Sequence, residues 1–216
     1  MKVIIFGATG MVGRGVLREC LLDARVTGVL TVGRTATGVS HPKLRELVHG
    51  ELDDLSPIED RLAGHDACFF CLGVSSAGMK EKDYRHVTYD YTVTAGRTLA
   101  RLSPGSVFVY VSGAGTDAHG RAMWARVKGE TENALLAMDL RAYMFRPGYI
   151  QPLHGLTSRT RLYRLGYVVT RPFYPLLRRM FGPAMTTTEQ IGKAMIAVTE
   201  HGAPTRILGP AGINAL

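Results

Sequence analysis

Three glycines spaced Gly7-Ala8-Thr9-Gly10-Met11-Val12-Gly13 follow a short apolar run and open an amphipathic one. A glycine-rich turn between a strand and a helix is the arrangement that holds a dinucleotide. The glycines let backbone approach the pyrophosphate, and the helix amino end offers N–H donors and a positive dipole end. The second strand then ends in Gly33-Arg34, with no acid nearby. A carboxylate there would bond the ribose 2′-hydroxyl of NAD, whereas a guanidinium can grip a 2′-phosphate. Arg34, helped by Arg14 beside the third glycine, points to NADP rather than NAD. Cys68-Phe69-Phe70-Cys71 has metal-ligand spacing. On a strand, however, residues three apart face opposite ways, and no second pair exists, so these are expected to be buried apolar cysteines and no metal is expected.

The elements that hold these residues are legible in the periodicity. Lys2–Phe6, Val26–Val32, Leu44–Val48, Asp66–Leu72, Ser106–Val111 and Arg141–Phe145 read as strands. The run Ala-Cys-Phe-Phe-Cys-Leu is too apolar for a half-exposed strand and implies burial on both faces, as in a parallel sheet. Helical spacing predicts helices from Met11 (Val12, Val16, Leu17, Cys20, Leu21), through Tyr84, Val87, Tyr91, Ala95, Thr98, Leu99 and Leu102, and through Val127, Thr131, Ala134, Leu135 and Met138. Ser103-Pro104-Gly105 stops the second of these. A last helix, carrying Ile191, Ala194, Met195 and Val198, follows a capping box in Thr186-Thr187-Thr188-Glu189. Alternating strand and helix gives an α/β doubly wound parallel sheet of the Rossmann type.

The chain has 216 residues, 46% hydrophobic and 20% charged, which excludes disorder and fits residues 1–216 as a single domain. No apolar run approaches a membrane span. Three cysteines cannot build a disulfide framework, so the expected compartment is the cytoplasm. The net charge of +8 is local. No acid lies between Asp139 and Glu189, a stretch with eight arginines, and the rest of the chain is balanced. Within it, residues 151–183 interleave Arg159, Arg161, Arg164, Arg171, Arg178 and Arg179 with aromatic side chains. The segment is read as a small cap over the active-site mouth, with a peripheral contact to anionic lipid as the alternative. No nucleic-acid motif accompanies it.

Taken together, FGATGMVGRG, VGR, GELDDL, FFCLG, VSGAG, WARVKGETENAL and RPG stand in an order that resembles the extended and atypical short-chain dehydrogenase/reductases, in their epimerase-like NAD(P)-binding group. The resemblance implies an NADP-dependent oxidoreductase or epimerase-like protein acting on a small molecule. It implies that Glu51 and Leu52 lie near the adenine and that Leu72 and Gly73 line the cofactor cleft. It makes Ser112 the active-site serine and Lys128 the lysine that also holds the nicotinamide ribose. The family's catalytic tyrosine falls on Trp124. An indole N–H donates only and does not titrate, so the proton relay is broken at its centre. His119, in the loop before the helix with Asp117, is the candidate stand-in acid. Tyr110 is expected to be core. A non-catalytic NADP-binding sensor or scaffold is the competing reading.

Overall fold

The computed structural model describes residues 1–156 and 185–216. Its strands are β1 (Lys2–Phe6), β2 (Gly28–Gly33), β3 (Leu44–Val48), β4 (Ala67–Phe70), β5 (Val107–Val111), β6 (Arg141–Phe145), β7 (Tyr149–Gln151), β8 (Met185–Thr187) and β9 (Ile207–Leu208). The helices are α1 (Met11–Leu22), α2 (Glu59–Leu62), α3 (Glu81–Arg85), α4 (Tyr91–Leu102), α5 (Met123–Leu136), α6 (Thr188–His201) and α7 (Pro210–Asn214). Seven strands form one parallel sheet in the order β3-β2-β1-β4-β5-β6-β9, with Val3 opposite Val29 and Ala67. Strand order reverses between β1 and β4, the switch point where such sheets bind ligands. β7 and β8 form a separate parallel pair. The expected doubly wound sheet is therefore present.

Each face of the sheet has its own core. Val3, Ile5, Phe69, Val109 and Phe145 pack under α1 and α6, against Val16, Cys20, Ile191, Ala194, Met195 and Val198. Ile4, Phe6, Phe70, Phe108 and Tyr110 pack under α4 and α5, against Ala95, Leu99 and Leu135. Both faces of β4 are buried, which is why its sequence is unbroken apolar. Cys68 joins the second core while Cys71 packs against the first, so the two thiols do face opposite ways. Burial pushes both up, away from thiolate character. Tyr110 is core, as expected, and burial holds its phenol well above its ordinary range.

Local detail departs from the periodicity in two places. Between α3 and α4 the chain makes a π turn over His86–Asp90. The extra residue shifts the buried face, so Thr88 and Thr92 are buried where Val87 and Tyr91 were expected. At α6 the N-cap is Thr187, whose side chain accepts from the Gln190 N–H, rather than Thr186 paired with Glu189. Gln190 instead donates to the Ile213 carbonyl, so no reciprocal box forms. α2, β7, β8, β9 and α7 carry no signal in the sequence: they are too short to show a period. Residues 157–184, with most of the Arg-rich segment and the expected cap over 151–183, lie outside the described residues. Among the described residues, no helix is long and apolar enough to cross a membrane.

Candidate active site

The glycine turn sits at the carboxyl end of β1, beside the chain leaving β4. Gly7 has φ 77° and its carbonyl accepts from the Gly10 N–H at 3.0 Å. A Cβ on Gly7 would lie 2.6 Å from the Leu72 nitrogen, and one on Gly13 would fall onto the Gly7 carbonyl. The turn is therefore wedged between α1 and Leu72, and only glycine fits. Gly10 caps α1 without any side-chain acceptor, and the first turn of α1 carries no acid. The uncapped amino end leaves N–H donors directed at the cleft, which suits a pyrophosphate. Thr9, Met11 and Val12 are half-buried around it, and the space beside Gly73 is open.

Arg34 and Arg14 are exposed, and their guanidinium groups make no hydrogen bond or ion pair among the described residues. Both remain free to meet an anion. Glu51 is exposed, whereas Leu52 is 4% exposed and part of the second core. Its side chain is thus committed to packing under the sheet.

The other half of the site lies at the carboxyl end of β5, two strand spacings or about 10 Å from β1. Ser112 is buried. Its N–H donates to the Phe145 carbonyl at 2.7 Å, and its Oγ lies 3.0 Å from Thr116 Oγ1. Thr116 in turn donates to the Gly113 carbonyl, which fixes the loop. Lys128, on α5, donates from Nζ to the Val111 carbonyl at 3.2 Å and lies 5.3 Å from the Tyr110 ring centre. Burial lowers its ammonium to about 8, and Glu132 one turn on opposes that shift. Glu132 is 2% exposed and held by Arg146 in a two-pronged ion pair at 2.5–3.2 Å.

Trp124 lies one helical turn before Lys128 and is half-buried. Its ring covers the loop after β5: a Cβ on Gly115 would touch it at 3.4 Å, and one on Gly113 at 4.0 Å. Its indole N–H has no partner among the described residues. The structure thus brings Ser112, Lys128 and Trp124 together around one strand end, with the indole as an apolar wall. His119 is exposed, and its backbone N–H is tied to Asp117 Oδ1. Among the described residues, no hydrogen bond or ion pair joins it to Ser112 or Lys128.

Sequence reasoning missed Thr116 and the Glu132–Arg146 pair. The i, i+4 spacing of Lys128 and Glu132, and the arginine of Arg146-Pro147-Gly148, were the available signals. Elsewhere, Glu19, His154 and Glu189 bring ligand-type atoms within 4.8 Å of one another. Arg18 pairs with Glu19, while Lys193 and His154 pair with Glu189.

No family model matches the chain. It is 25% identical over 189 residues to a protein named FMP52-1, mitochondrial, of Scheffersomyces stipitis, spanning 84% of this chain and 83% of that one. It is 28% identical to fmp52, mitochondrial, of Emericella nidulans, over 69% of this chain and 66% of the relative. It is 27% identical to HTATIP2 of Rattus norvegicus, over 69% and 62%. Against the last two, the chain spans just under two thirds of the relative's length. Among solved structures, a short-chain dehydrogenase family protein from Francisella tularensis superposes with TM-score 0.69, 15% identity and coverage of 100% and 99%. A UDP-N-acetylglucosamine 4-epimerase from Methanobrevibacter ruminantium gives 0.71 at 15% identity, over 95% and 74%. WbmF of Bordetella bronchiseptica, solved with NAD+, gives 0.67 at 14%, over 99% and 76%. The resemblance to epimerase-like short-chain dehydrogenase/reductases is borne out, and the fold is theirs. The cytoplasmic expectation is corrected: the FMP52 relatives are named mitochondrial. Cysteine usage separates oxidising from reducing compartments and does not distinguish one reducing compartment from another.

Proposed function

We propose that this chain binds NADP(H) across the carboxyl ends of β1 and β4, and that it is an oxidoreductase or epimerase-like protein whose proton relay lacks its phenol. The observation that carries the reading is the uncapped amino end of α1 at the switch point, beneath a turn that excludes side chains at Gly7 and Gly13. Arg34 and Arg14 favour NADP over NAD, because both are unpaired cations near the end of β2 and the start of α1. When bound, the nicotinamide ring supplies or accepts a hydride. Lys128 holds the ribose hydroxyls, Ser112 orients a substrate carbonyl, and Trp124 keeps water from one side of the reacting centre.

A second reading, a non-catalytic dinucleotide-binding sensor or scaffold, is favoured by one observation. Trp124 covers the Ser112 loop where a titrating group would be needed. The test is titration with NADPH and NADH, read by fluorescence and by native mass spectrometry. Saturable one-to-one binding with NADPH the tighter supports the proposal. Absence of dinucleotide binding defeats it, and equal affinities defeat its NADP clause. The names of the fungal relatives extend the proposal to mitochondrial association. Fractionation of the tagged chain with cytosolic markers would overturn that extension.

A further inference from the structure

Helix α1 uses two of its sides within the fold. Val16 and Cys20 enter the core, and Gly15 lies against Thr188 of α6. Its remaining side, with Arg14, Arg18, Leu21 and Leu22, lines a cavity of about 550 Å³ together with Thr37, Val39, His41 and Leu156, and the core residue Leu17 lies at its floor. That volume lies within the range of small-molecule sites. Leu22 is 65% exposed and Val39 is 44% exposed, and both line this cavity. Among the described residues they are two of only five large hydrophobic side chains left exposed. One exposed leucine means little, but two apolar side chains across a concave groove mark a binding surface.

The charge of the groove narrows the ligand. No acid lines it. Arg14 has no partner among the described residues, and Arg18 is paired with Glu19 at 2.5 Å. The net balance at the Arg14 end is one unpaired cation, which complements one negative charge. From Arg14 to Leu22 the helix rises about 12 Å. We propose that the groove between α1 and Thr37–His41 binds a medium-chain carboxylate, its acyl chain against Leu21, Leu22, Val39 and Leu156 and its head at Arg14. Arg14 is also the cation assigned above to the NADP phosphate, so the two ligands share it and the groove is probed in the dinucleotide-free chain.

Decanoate is the probe, titrated by calorimetry into the dinucleotide-free chain, with decanol and acetate as comparisons. The expected result is saturable one-to-one binding of decanoate, with decanol weaker by about tenfold or more and acetate undetectable. Val39→Asp and Leu22→Asp place a repelling carboxylate at exposed positions in the apolar wall. Each is expected to weaken decanoate about tenfold or more while thermal unfolding and NADPH affinity stay at wild-type values. Decanol binding as tightly as decanoate overturns the proposal, because Arg14 then selects nothing. Undiminished binding in both variants also overturns it, because the ligand then sits elsewhere. So does absence of decanoate binding in a wild type that binds NADPH normally, a result that leaves the dinucleotide reading intact.

Discussion

Replacing Lys128 by methionine is expected to stabilise the fold at neutral pH and to change how stability depends on pH. Burial holds the Lys128 ammonium down from 10.5 to about 8. Each tenfold change in proton affinity is about 1.4 kcal/mol, so keeping this charge buried costs about 3 kcal/mol. The sign follows from proton counts. Below about pH 8 both folded and unfolded chains carry the proton, and the cost is present in full. Between about 8 and 10.5 the unfolded chain binds more protons, so this lysine's contribution to stability rises with pH. Methionine of similar length removes the charge but forfeits the bond to Val111 and the contact with the Tyr110 ring, about 1 kcal/mol each. The net gain near pH 7 is therefore about 1–2 kcal/mol. Cys20, Cys68 and Cys71 act in the opposite direction. Burial raises them, so their contribution is present at low pH and is lost as pH climbs past their unfolded value of 9.0. The informative quantity is accordingly the difference between wild type and Lys128→Met, measured by urea denaturation from about pH 7 to about pH 10. The advantage of the variant should shrink and then invert as pH rises. A difference independent of pH, or a variant less stable at neutral pH, would refute the reasoning.

Trp124→Tyr restores a titrating phenol one turn from Lys128, and reductase turnover on a panel of aldehydes and quinones should rise by about 10²- to 10⁴-fold. Wild-type turnover equal to that of the variant, or none in either, would sink this expectation; His119 is exposed and untied to the site, so His119→Ala should leave any residual rate unchanged. Arg34→Ala should weaken NADPH about 10- to 100-fold and NADH little, as a charge-assisted phosphate bond is worth about 1.5–3 kcal/mol; parallel loss for both dinucleotides would contradict it. Glu132→Gln leaves the Arg146 guanidinium without its carboxylate, and stability should fall by about 3 kcal/mol, the low end for a buried pair because Arg146 is 28% exposed; a loss below about 1 kcal/mol in denaturation would show that the pair holds little.

Much of this protein was determined by residue types acting over short range. The apolar runs placed β1 and β6 at the bounds observed, because strands buried on both faces are almost wholly apolar, and the half-exposed edge strand β3, which carries Arg45 and Glu46, also falls at its expected bounds. The glycine spacing placed the turn between β1 and α1, because no other residue tolerates φ near 77° against Leu72. The resemblance picked out Ser112, Trp124 and Lys128, and the fold brings those three to one strand end. Other features needed the folded chain. The π turn at His86–Asp90 shifts a buried face by one residue, and the cap of α6 moves from Thr186 to Thr187, whose side chain accepts from the Gln190 N–H. The commitment of Leu52 to the core, and the exposure of His119, depend on where loops settle. The Glu132–Arg146 pair and the groove between α1 and Thr37–His41 join residues from separate elements. Periodicity and turn chemistry are properties of neighbours along the chain. Ion pairs, cavities and lowered pKa values arise only when distant segments exclude water from the same small volume.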